Sequence, residues 1–237
     1  MRHRRMIRPP TTQPGNGIGL PCRVDWRPWG ILACVTVLAL AGCSGQASEG
    51  QPGAADLPKK PAAPQFDRSY PVVLIHSNAG DITVKLDAVQ APGTVHNFLS
   101  YVSEGFYSGT TFHYVESGAM ILGGGYTAQG EPKQPRLPIR NEAHNGLKNL
   151  RGTIVMARDP AAIDSAASQF FINLVDAPGW DHKGDSPDQY GYCVFGEVIE
   201  GLDVADKISK MSTKNLGGDL SSVPQPPVVI ESIKVIR

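Results

Sequence analysis

The residues best placed to do chemistry lie in two stretches, Gly105 to Tyr126 (GFYSGTTFHYVESGAMILGGGY) and Ser168 to Val175 (SQFFINLV). Gly123-Gly124-Gly125 could cradle a phosphate, but no Gly-Lys-Ser/Thr follows, so the run is read as a turn. His76, His96, His113, His144 and His182 are scattered without metal-ligand pairing, and His113 is expected to be a satisfied wall residue rather than a general base. Asp181 to Asp188 is acidic but lacks the glycine and glutamate positions of a calcium loop, which leaves a solvated loop. Cys193 stands in the apolar run Tyr192-Cys193-Val194-Phe195, where a small buried hydrophobe is expected rather than a nucleophile. Tyr114 offers a hydroxyl that can donate a hydrogen bond but carries no charge. No cofactor is implied by any of these groups.

The elements that must position these groups are short and β-rich. Val72–His76 and Ile82–Leu86 are β-branched runs joined by Ser77-Asn78-Ala79-Gly80-Asp81, the pattern of a hairpin. Pro92 opens a helix with Val95, Phe98, Leu99 and Val102 on one face, and Gly105 supplies its stop. Further strands are predicted at Thr110–Val115, Met120–Leu122, Gly152–Ala157, Gln169–Val175 and Cys193–Val198, with a last one from Val228 to Ile236. A second helix is predicted over Leu202–Met211, with Val204, Ile208 and Met211 on its apolar face. About eight strands with two helices point to a closed antiparallel barrel, because closure leaves no exposed edge. Its interior would be filled by side chains, so a ligand would bind on an outer face. Neighbours on a strand face opposite sides, so Phe170 is expected in the core when Phe171 faces out.

Together the two stretches resemble the cyclophilin family of peptidyl-prolyl isomerases, and the resemblance runs through most of residues 70–237. Its most specific part is GTIVMA (152–157) followed by SQFFIN (168–173). The resemblance implies an all-β fold with two helices, a closed eight-stranded antiparallel barrel capped by those helices. It also implies site roles. Met120 matches the pocket methionine, Phe171 a pocket phenylalanine, and Gln169 a contact to the peptide backbone. Ala157 and Arg158 match the strand flanking the bound peptide, and Tyr192 stands where bacterial relatives often carry tyrosine. Trp180 could close the pocket.

Isomerising an X–Pro bond needs no covalent step. Rotation breaks amide resonance over a barrier of roughly 18–20 kcal/mol. As conjugation is lost the proline nitrogen gains a lone pair, and a fixed donor aimed there acts mainly in the transition state. In the family an arginine supplies that donor. The family pattern is F-H-R, G-F-M and Q-G-G. This chain has Phe112-His113-Tyr114, Gly118-Ala119-Met120 and Leu122-Gly123-Gly124. Tyr114 therefore stands at the arginine position, Ala119 at a pocket phenylalanine, and Leu122 at a glutamine that could orient the arginine. The expectation is a prolyl isomerase with reduced activity. The alternative is a non-catalytic proline-peptide-binding module, a holdase or envelope scaffold on the same fold.

The N-terminus reads as an address. Trp29 to Gly42 (WGILACVTVLALAG) is apolar, is preceded by arginines and ends in small residues, as a secretory signal does. The apolar core from Ile31 to Ala41 has 11 residues, whereas a spanning helix needs roughly 17–25. Leu40-Ala41-Gly42-Cys43 resembles a bacterial lipobox, which implies acylation of Cys43 and loss of residues 1–42, Cys22 and Cys34 among them. Two or three acyl chains give stable anchoring. Ser44 next to the cysteine implies, by likeness to bacterial lipoproteins, the periplasmic side of the outer membrane. The long run before Trp29 leaves a start at Met6 or later open. Residues 43–65, rich in Pro, Ala, Gly and Gln, read as a flexible tether, and 66–237 as one domain.

Charge supports this division. The whole chain is formally neutral, but residues 1–42 hold six arginines and one acid, leaving 16 basic against 21 acidic residues beyond. That balance argues against a nucleic-acid partner. The partners expected are proline-containing segments of exported proteins, and the membrane through acylated Cys43. A monomer is expected.

Overall fold

A computed structural model describes residues 68–237. The expected signal, lipobox cysteine and tether, and the first residues of the expected domain, lie outside the described residues. Among the described residues ten strands form: β1 Val72–Ser77, β2 Gly80–Leu86, β3 Thr110–Glu116, β4 Met120–Thr127, β5 Thr153–Met156, β6 Phe170–Asn173, β7 Val194–Glu200, β8 Thr213–Lys214, β9 Val223–Pro224 and β10 Val228–Val235. Eight of them close into a barrel in the order β1-β10-β3-β4-β6-β5-β7-β2, every pairing antiparallel. The remaining pair, β8 and β9, forms a two-stranded sheet that the sequence reading did not foresee.

Alternation along the strands decides which side chains fill the cylinder. Val73, Ile75, Ile82, Val84 and Leu86 point inward, as do Phe112, Ile121, Ile154, Met156, Phe170, Ile172, Phe195 and Ile230, and all sit in one buried core. Their strand neighbours Val155, Phe171 and Val194 point outward and form a second, smaller cluster. The β1–β2 hairpin turns over Asn78-Ala79, with Ser77 paired to Gly80.

Two α-helices accompany the barrel among the described residues. Helix α1, Pro92–Ser103, has proline in its first turn and buries Val95, Phe98, Tyr101 and Val102. Its Phe98 ring meets Tyr107, Phe170 and Phe195 at centroid distances of 5.2, 5.6 and 5.3 Å. Ala91 gives α1 no side-chain cap. The Glu142 carboxylate does so from far along the chain, accepting from Gly93 N (3.0 Å), Thr94 N (2.8 Å) and the Thr94 hydroxyl (2.7 Å). Helix α2, Leu202–Ser209, stops two residues short of the predicted end and packs against β2, β3 and β4. Among the described residues no helix is long and apolar enough to cross a membrane.

Candidate active site

The outward cluster grows from strand register. Tyr114 on β3 pairs with Leu122 on β4, Leu122 with Phe171 on β6, Phe171 with Val155 on β5, and Val155 with Val194 on β7. One row of side chains thus crosses five strands on the outer wall. Register shifts flank Phe112 on β3, on the approach to Tyr114. Such irregularities bend a strand and re-aim its side chains.

Met120, Leu122, Leu147, Ala157, Trp180 and Tyr192 pack around Val155, Phe171 and Val194. Phe171 is 3% exposed. Trp180 meets it edge-on at 5.3 Å, Tyr192 does so at 5.8 Å, and the Trp180 and Tyr192 rings lie 5.9 Å apart.

Beside this aromatic trio runs a groove of about 750 Å³. Met120, Ala157, Arg158 and Gln169 line it, together with His113, Tyr114 and Leu122. Of the other two residues expected at the site, Phe171 and Tyr192 sit in the adjoining cluster, which shares Met120, Leu122 and Ala157 with the groove wall. Met120 and Phe171 therefore belong to one apolar surface. Gln169 lies flat over the backbone of Gly125, so closely that a Cβ there would fall 2.6 Å from the amide carbon. The glycine run belongs to strand β4 rather than to a turn.

Arg158 is committed elsewhere. Its Nε donates to the Gly191 carbonyl (2.8 Å), Nη1 to Asp159 and Pro160 (2.9 and 3.2 Å), and Nη2 to Pro187 (2.7 Å). The guanidinium also lies over the Tyr192 ring at 4.9 Å. It clasps two loops at the groove rim and has no fork left to serve as the missing donor.

Tyr114 is partly buried, and no protein hydrogen bond is made to its hydroxyl among the described residues. Burial, and then the nearby Glu116 charge, raise its pKa above the ordinary phenol value, so it stays protonated.

His113 corrects an expectation. It is buried in the wall as predicted, at 1% exposure, but it is not satisfied: neither ring nitrogen has a hydrogen-bond partner. Burial pushes its pKa down to about 4, against smaller upward pulls from Thr111, Asp219 and Gln169. Thr111 and Gln169 stand close enough to favour the charged ring, yet neither makes a bond of ordinary geometry. The imidazole is therefore neutral at physiological pH and too enclosed to act as a base on a ligand. Its ring faces that of Tyr126 at 4.7 Å, and the Tyr126 hydroxyl donates to Asp219 (2.8 Å).

Sequence reasoning missed the far bank of the groove. Gly218, Asp219 and Ser221 reach it from the loop between β8 and β9, and Pro135 from the loop after β4. No motif marks them, because a loop's path over the barrel depends on contacts distant in sequence. Cys193 is buried as expected, with its Sγ 3.4 Å from the Thr94 hydroxyl.

The fold and this outer-wall site define a barrel of the prolyl-isomerase class. The family model described as "Cyclophilin type peptidyl-prolyl cis-trans isomerase/CLD" matches residues 72–235. Peptidyl-prolyl cis-trans isomerase B of Escherichia coli is 49% identical over 164 residues, which is 69% of this chain and 99% of that protein. Peptidyl-prolyl cis-trans isomerase A of Dickeya dadantii is 48% identical over 165 residues, 70% of this chain and 84% of that one. A crystal structure of a Cryptosporidium parvum cyclophilin type peptidyl-prolyl cis-trans isomerase superposes with a TM-score of 0.58 at 25% identity, covering 71% of this chain and 98% of its own. The chain belongs to the cyclophilin-type peptidyl-prolyl cis-trans isomerases, folding enzymes whose substrates are proline-containing peptides.

Proposed function

We propose that this chain isomerises X–Pro bonds in exported proteins at a reduced rate, using the groove and aromatic cluster on its outer wall. The observation that carries the reading is Tyr114, which faces the groove where the family carries arginine, while Arg158 is bound to backbone carbonyls. Met120, Ala157, Arg158, Gln169, Phe171 and Tyr192 are the proposed substrate-binding residues. A relative of the same fold was crystallised in the presence of the dipeptide Ala-Pro, which supports a proline ligand for this class of groove. Removing one transition-state donor typically costs about 10²–10³ in rate. We also place the protein in the cell envelope, on the periplasmic side of the outer membrane. Residues 1–42 act as a signal, acylated Cys43 as the anchor, and 43–65 as the tether of a monomeric 66–237 domain. Metabolic labelling with a fatty acid, with and without Cys43→Ser, tests the anchor.

The decisive experiment is a peptide isomerisation assay on the purified protein. Turnover well below that of the E. coli relative is expected, and equal turnover would reject the impaired-site reading. Tyr114→Arg combined with Leu122→Gln restores a guanidinium and its orienting amide, and is expected to raise turnover by about tenfold or more. No gain would place the limit in the pocket rather than in the missing donor.

A second reading is a non-catalytic proline-peptide-binding module, and the four bonds from Arg158 to backbone carbonyls favour it, since no guanidinium fork is left to donate to the reacting amide. Binding of a proline peptide without turnover is the outcome that selects it.

A further inference from the structure

We propose that the Tyr114 hydroxyl is the catalytic hydrogen-bond donor of this groove, acting on the proline nitrogen of the twisted amide in the role the family gives to arginine. The inference rests on the isomerase reading above.

Three observations carry it. The first is place. Tyr114 lies in the same cross-strand row as Phe171, separated from it only by Leu122, and lines the groove with Met120, Ala157 and Gln169. A leucine in that gap leaves the phenol as the nearest polar group in the row.

The second is an unused donor. The hydroxyls of Tyr107, Tyr126 and Tyr190 donate to Ser168 O, Asp219 and Asn141 O, and that of Tyr101 accepts from Arg136 N. The Tyr114 hydroxyl, like those of Tyr70 and Tyr192, makes no such bond among the described residues, and Tyr114 is the one of these three that lines the groove. A hydroxyl so placed donates to whatever enters.

The third concerns the groove's other side-chain donors, of which, buried His113 aside, only Gln169 and Ser221, the latter on the far bank with Asp219, are also uncommitted among the described residues. Arg158 spends its guanidinium on backbone carbonyls. The ring nitrogens of His113 are closed off from solvent. The Ser165 and Ser168 hydroxyls donate to Ala162 O and Gly124 O. Gln169 keeps a free amide, but it lies over Gly125 and is the group suited to hold the peptide backbone. Burial keeps the Tyr114 phenol protonated through the neutral range, so it remains a donor there.

The chemistry is adequate and weak. Hydrogen bonds involving an ionised partner are roughly twice as strong as neutral ones. A phenol therefore supplies part of what a guanidinium would, which fits slow turnover rather than none.

The test compares the parent protein with Tyr114→Phe by NMR exchange on a proline peptide, with peptide affinity measured alongside. Turnover is expected to fall about tenfold or more while affinity holds. A site-specific fluorinated tyrosine, with a more acidic phenol, adds a second readout. The parent's rate should be flat through neutral pH and decline only as the phenol ionises, the fluorinated variant should decline at lower pH, and Tyr114→Phe should show no such limb. Undiminished turnover in Tyr114→Phe, with the parent active, overturns the hydroxyl's role and leaves the isomerase reading standing. Loss of affinity in step with turnover also overturns it, since the ring would then serve only as pocket wall. No turnover by the parent overturns both.

Discussion

An imidazole buried with both nitrogens unpartnered is costly, and its cost depends on pH. His113 takes up a proton near pH 6.5 when unfolded but only near about 4 when folded. The folded-state value is depressed, so the linked stability is fully present above about pH 6.5 and is lost as pH falls toward 4. Between pH 7 and pH 5 this one group is expected to remove about 2 kcal/mol. His76 works in the opposite sense, because its hydrogen bond to Asp81 raises its pKa. The comparison that isolates His113 is chemical denaturation of the parent and of His113→Gln at the two pH values, and the substitution should flatten the difference. Sequence predicted His113 to be a satisfied residue of the barrel wall, and the place in the wall holds while the satisfaction does not. It could not predict the missing partners, because they depend on where Thr111, Gln169 and Asp219 come to rest.

Strands were the most legible elements, and side-chain period explains why. Alternation assigned Phe170 inward and Phe171 outward, as the two clusters show, and the same period places Ile154 and Met156 inward around Val155. Helix α1 was legible from its proline and apolar spacing, but its cap was not. Glu142 lies 48 residues from Thr94, and only the closed barrel brings them together. Replacing a helix-capping side chain with alanine typically costs about 0.5–2 kcal/mol. Glu142→Ala strips three hydrogen bonds from the start of α1, and thermal unfolding should show a loss toward the upper end of that range. Short β8 and β9 escaped notice because two-residue strands carry no period. The loop they bracket brings Asp219 to the groove, so the least legible part of the fold supplies one bank of the site.

At the scale of the whole molecule, closure of eight strands was legible and the resemblance predicted the same architecture. The groove was legible on one side only, where Met120, Ala157, Arg158 and Gln169 carry motif signal. Closure also governs the thiol. Cys193 is 3% exposed, and burial pushes its pKa up to about 12 despite the nearby Thr94 hydroxyl. Attack by a thiolate needs both exposure and ionisation, and the folded chain offers neither. Labelling of Cys193 by an alkylating reagent is therefore expected to proceed only through opening of the barrel. Its rate should rise with denaturant in parallel with unfolding measured by fluorescence. Fast labelling under native conditions would mean that β7 opens locally.

That sealed sulfur has a practical consequence outside the cell. A domain whose thiol hides beneath its own wall needs no reducing agent in storage. It should survive air oxidation as a single species, and a reagent that counts reactive sulfhydryls would double as a gauge of how much of a preparation is intact.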